Sequence, residues 1–175
     1  ATIEEVHVPA LPYEEITRTI LFGEMASAFE DLIESGQIAN LAAPEDRYTP
    51  YSRVAVLAKD YIRALRLRGI VATEIDRTMR GLDALLGPSR PFPSTRLDEE
   101  FPSAVRGTGK DIMGAIGNAA GLPAISVPDG FTENDVPTGI QFMGRAYDEA
   151  VIIAAASTYQ RLTDWHLRHP PGTLQ

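Results

Sequence analysis

His166 and His169 stand three residues apart, the spacing that brings two imidazoles onto one turn of a helix as a potential metal pair. No third ligand accompanies them, and Pro170-Pro171 stops the turn at once, so the pair also fits a surface tail. His7 has no suggested partner. A serine nucleophile needs a base and an oxyanion hole. The chain holds no Gly-x-Ser-x-Gly elbow, and Ser126 lies between Ile125 and Val127 in an apolar strand pattern, which reads as a buried or sheet-facing residue. Gly107-Thr108-Gly109-Lys110 has the residue types of a phosphate loop without its spacing. Asp98, Glu99 and Glu100 are consecutive, which does not set an acid and a base on two sides of a substrate. A solvated loop accounts for them. The absence of cysteine removes thiol nucleophiles, disulfides and thiolate zinc sites. Residue chemistry alone therefore assembles no catalytic set, and no metal or cofactor is implied.

Composition bounds the rest. At 175 residues the chain has the size of one domain, able to bury about two thirds of its unfolded surface. The net charge of -8 argues against nucleic acid, which demands clustered Lys and Arg on one face. Arg63, Arg66, Arg68, Arg77 and Arg80 gather positive charge locally, but Lys59-Asp60 and the Glu74 to Asp76 segment interrupt it, as on a solvated helix face. No apolar run approaches the roughly 20 residues that cross a bilayer. The N-terminus has neither the basic stretch nor the apolar core of a secretory signal, so a cytoplasmic location is expected. The first residue is Ala; removal of Met would account for it, and so would a start within a longer protein.

The elements that must position any site follow from periodicity. Residues 2–8 alternate before Pro9 and predict a short edge strand. Ile16, Ile20, Leu21, Met25, Phe29, Leu32 and Ile33 predict an amphipathic helix stopped by Ser35-Gly36. After a polar loop over 41–50, apolar spacing from Val54 to Met79 predicts the longest helix, with a bend or break at Gly69. Leu82 to Leu86 reads as a buried strand ended by Gly87-Pro88, and the proline-rich stretch 89–106 as a long surface or substrate-bordering loop. A small-residue helix over 107–120 precedes two neighbouring strands, 124–127 and 139–143. Pro128-Asp129-Gly130 and Glu133-Asn134-Asp135 supply the turn chemistry between them. Asp148 and Glu149 open an alanine-rich helix over 150–162, which Trp165 and the proline-rich tail end. No repeat or second-domain boundary is visible.

Four words in order tie these elements together: Leu82-Asp83-Ala84-Leu85-Leu86-Gly87-Pro88; the run from Asn118 to Pro128; Gly139-Ile140-Gln141-Phe142-Met143-Gly144-Arg145; and Asp148-Glu149-Ala150. With the Tyr61-Ile62-Arg63-Ala64 helix they resemble the C-terminal part of the amidase-signature family, most specifically over residues 82–169. Each word also has a physical reading of its own. Gly121-Leu122-Pro123, for example, ends a helix with glycine and turns the chain into a strand with proline.

The resemblance implies an α/β fold in which residues 1–175, as a single portion, contribute to a mixed sheet flanked by helices. It implies amide hydrolysis, or ammonia transfer from amides, by a serine, a bridging cis-serine and a lysine in an earlier part of the family's chain. Those residues have no counterpart here, so no catalytic residue is assigned and the isolated chain is expected to be inactive. One substrate contact carries over. In the glutamine-using amidotransferase branch an acid seven residues before the motif's Asn contacts the substrate's ammonium, and Asp111 occupies that place. Gly114 and Ile116 stand where that branch has Thr and Pro, and a helix-start role suits Asp111 equally. The partners implied are an N-terminal amidase portion, or a second copy through an exposed edge, and a small-molecule amide. The alternatives are a non-catalytic interaction module derived from the fold and one portion of a glutamine-dependent amidotransferase. An unpaired sheet edge or exposed apolar face is expected under the first reading, and a closed surface would contradict it.

Overall fold

A computed structural model describes residues 1–44, 46–47, 55–101 and 110–168. Helix α1 (Tyr13–Ala28) is followed by the short α2 (Glu30–Glu34), a 3-10 turn at Gln37–Asn40, and the long α3 (Ala58–Thr78). Strand β1 (Leu85–Pro88), helix α4 (Ile112–Ala120), strands β2 (Ala124–Phe131) and β3 (Pro137–Met143), and helix α5 (Glu149–Leu162) complete the order, before a 3-10 turn at Trp165–Leu167. The three strands form one sheet in the order β1-β3-β2, with both pairings antiparallel. The α/β class expected from the sequence is the class observed. The described strands have no parallel neighbour.

Helices cover both faces of this sheet. Leu85 of β1 and Met143 of β3 point to one side, where Ile75, Val71 and Met79 of the α3 region and Ile116 and Ala119 of α4 close the larger core with Tyr13 and Ile16 of α1. Val127 and Phe142 point to the other side and pack on Ile152 and Ala156 of α5. This is the period of two along a strand meeting the 3.6 period of a helix. Ile75, Met79, Ile116 and Met143 are all fully buried, so the first core is the heavier anchor.

Several expectations are corrected. Residues 2–8 form no strand and have no ladder partner. Val6, Val8 and Leu11 instead pack individually on the larger core, and the Tyr13 hydroxyl donates to the Pro9 carbonyl at 2.6 Å, tying this segment down. The helix expected to run unbroken to Ile33 divides at Phe29, whose φ of -115° and ψ of 22° are not helical. The division lets Ile33 and then Ile38 turn back into buried positions.

Gly69 does not break α3, which is continuous from Ala58 to Thr78. Gly69 lies on the exposed face with open space around it. Its helix penalty of about 1 kcal/mol is outweighed by burial of Ala64, Val71 and Ile75 on the opposite side. Pro128-Asp129-Gly130 is not the turn. It lies inside β2, where the register shifts between Pro128 and Gly130, and the chain reverses instead at 132–136. There the Thr132 hydroxyl accepts the Asn134 and Val136 amides, and Asp135 adopts φ 58°. Helix α4 starts at Ile112 rather than at 107; residues 102–109 lie outside the described part of the expected loop and helix. The β1 strand is likewise shifted, from 82–86 to Leu85–Pro88.

Candidate functional site

Asp111 is the one residue for which the resemblance implies a substrate contact, and its local geometry is that of an N-cap. Its Oδ1 accepts the Gly114 amide of α4 at 2.8 Å, which satisfies one of the unpaired N–H groups of a helix start. Its Oδ2 accepts Arg90 Nη1 at 3.2 Å, forming an ion pair across 21 residues. The Arg90 guanidinium also lies 5.5 Å from the centre of the Phe92 ring, within cation–π range. Phe92 in turn meets Phe101 edge to face at 6.1 Å. The end of β1, the loop after it and the start of α4 therefore meet through these side chains.

The remaining candidates do not converge there. Ser126 is exposed on β2, not buried, and no described residue pairs it with a base. His166 sits in the last 3-10 turn, while His169 lies outside the described residues. Asp98 pairs with Arg96 at 2.7 Å on the surface, and that hydrogen bond holds the Asp98 carboxyl below its ordinary value. Glu99 and Glu100 are exposed beside it. Lys110 reaches Glu15 at 4.0 Å, and Gly107 to Gly109 are outside the described residues. Arg68 donates from Nε to the Ala119 carbonyl at 3.2 Å, binding α3 to the end of α4. Arg77 pairs with Glu74, so the arginine-rich stretch is split between structural contacts and solvent. Among the described residues no group of three His, Asp or Glu side chains could hold a metal ion.

Sequence reading missed two features. The first is Arg90, whose pairing with Asp111 is carried by no local motif. The second is the outer edge of β2. The Ser89 amide donates to the Gly139 carbonyl at 2.8 Å, so the peptide groups of Gly139 face β1. Alternation along an antiparallel ladder then turns those of Ile140 and Phe142 toward β2, and those of Ala124 and Ser126 away from the sheet. No described residue hydrogen-bonds to these outward groups. The side chains of Ala124, Ser126 and Pro128 are exposed on the same strand. The run from Asn118 to Pro128 thus does two things. Gly121, at φ 72°, ends α4 with its amide donated to the Gly117 carbonyl, and the chain then enters a strand with one free side.

The comparisons with known proteins agree with this architecture. The family model described as Amidase matches residues 16–153, and the chain belongs to that family. Over 110 residues it is 37% identical to a glutamyl-tRNA(Gln) amidotransferase subunit from Legionella pneumophila (strain Paris), a match covering 63% of this chain and 23% of that protein. The corresponding protein of Methanosarcina acetivorans is 35% identical over 113 residues, with 65% and 24% covered. The chain thus matches under a quarter of the length of these curated relatives. Among solved structures, an amidase aligns with TM-score 0.75 at 23% identity over 93% of this chain and 38% of its own, a likeness of fold. The native peptide amidase of Stenotrophomonas maltophilia aligns with TM-score 0.65 at 26% identity, covering 93% and 36%. No described helix is long and apolar enough to cross a membrane.

Proposed function

We propose that this chain is the C-terminal portion of an amide-cleaving hydrolase, completing its sheet and walling one side of its substrate pocket. The observation that carries the reading is the free outer edge of β2, where Ala124 and Ser126 offer unpaired backbone groups beside exposed side chains. An exposed edge of this kind invites another strand. The family membership and the short share of each relative that is matched support a catalytic portion as the occupant.

In this reading the serine, cis-serine and lysine belong to that portion. The serine attacks the amide carbonyl, the lysine-linked proton relay protonates the leaving amine, and water then releases the acid. No metal or cofactor enters. Asp111, at the start of α4, faces the non-reacting end of the amide. The chain is inactive alone and cytoplasmic. The names of the curated relatives favour a second reading, in which the same assembly supplies ammonia within a glutamyl-tRNA(Gln) amidotransferase.

Ammonia release from a primary amide tests the proposal. The chain alone should release none, and an equimolar complex with the N-terminal portion of an amidase-family relative should release it continuously. A complex that forms and stays inactive would favour a non-catalytic module; turnover by the chain alone would overturn the assignment of the catalytic residues.

A further inference from the structure

Both oxygens of Asp111 are already engaged. The Gly114 amide holds Oδ1, and Arg90 holds Oδ2. The bent-back carboxylate depends on glycine at 114, since a Cβ there would lie 2.7 Å from Oδ2 and 2.9 Å from Oδ1. An incoming ammonium would meet Asp111 beside a guanidinium that is also held over Phe92. The Asp111 side chain is only 31% exposed beside its ion-pair partner. The Arg90 side chain nonetheless remains 60% exposed, and its described hydrogen bond uses only one of five N–H donors. The remaining fork matches the geometry of a carboxylate.

Resting on the reading above, we infer that Arg90 determines substrate charge: the pocket takes an amide that carries a carboxylate at its far end and rejects one that carries an ammonium there. Arg90 binds the carboxylate, while Asp111 orients Arg90 and caps α4. This differs from an exposed acid that receives an ammonium directly.

The test uses the active complex with its catalytic portion and two amides of similar length, glutaramate and 5-aminopentanamide, with uncharged valeramide as reference. The native complex should prefer glutaramate by at least about tenfold in kcat/KM, mainly through KM, as expected for one charge-assisted contact. Arg90→Ala should erase or reverse that preference, because it removes the guanidinium and frees Asp111, and Arg90→Lys should restore part of it. A native preference for 5-aminopentanamide, or an unchanged preference in Arg90→Ala, would overturn the inference while leaving amide hydrolysis in place. Failure to hydrolyse any of the three, valeramide included, would overturn the proposed function and this inference with it.

Discussion

The Asp111 carboxylate and Gly114 are fitted to one another: the acid accepts the glycine amide at 2.8 Å in space that a Cβ at 114 would fill. A residue marked by family resemblance as a substrate contact is thus also structural. Asp111→Ala should lower the stability of the chain by about 1 kcal/mol, the usual worth of an N-cap, whereas Asp111→Asn should keep most of it. Urea denaturation followed by circular dichroism checks this. Equal losses in the two variants would mean that charge, not capping, is what α4 uses.

Gly121 adopts φ 72°, and a Cβ there would lie 3.2 Å from Arg68 Nη2. Gly121→Ala should cost about 1–2 kcal/mol, because an L side chain is strained in that conformation. The Arg68 contact with the Ala119 carbonyl would also have to shift. The midpoint of thermal unfolding should fall by several degrees, and an unchanged midpoint would show that the helix end is not held as described.

Ile75 is fully buried where α3 meets the sheet and α4. Ile75→Ala should destabilise by about 2–5 kcal/mol through lost burial and a residual cavity. Gly69→Ala, on the exposed face of the same helix, should stabilise by up to about 1 kcal/mol. Chemical denaturation of the pair measures both signs in one element.

Burial, followed by the nearby Glu74 charge, raises the Tyr13 pKa above its ordinary value of 10.0. The folded state therefore holds this proton more tightly than the unfolded chain. The stability it contributes is fully present below pH 10 and is lost as pH rises through the higher folded value. Tyr13→Phe should flatten the alkaline limb of a stability-versus-pH curve, while lowering stability at neutral pH by about 1 kcal/mol through the lost bond to the Pro9 carbonyl. An alkaline limb identical to that of the native chain would contradict the assignment.

How far the sequence could be read depended on whether a signal was local. Gly121-Leu122-Pro123 announces a helix end and a strand start through the conformational needs of two residues, and the helix-to-strand junction lies there. The alternating residues 2–8 carry a strand's pattern, but a strand also needs a ladder partner, and side-chain packing of Val6 and Val8 took its place. Gly69 looked like a break because propensity is visible in sequence and the buried face of α3 is not. Pro128 and Gly130 have turn chemistry that an edge strand can absorb as an irregularity. At the site, the helix-start role of Asp111 was legible as an acid just ahead of the α4 residues. Its partner Arg90 was not, since an ion pair closed across a proline-rich loop leaves no periodic trace.

The central claim is that the outer edge of β2 receives a strand of a catalytic portion, and amide hydrogen exchange at Ala124 and Ser126 measures it most directly. In the isolated chain both amides should exchange as solvent-facing groups, while those of Val127 and Phe142, directed into the sheet, are protected. In the complex with an N-terminal amidase portion, exchange at Ala124 and Ser126 should slow by at least about tenfold as they enter a ladder. Unchanged exchange at these two amides in a complex that forms would contradict the account.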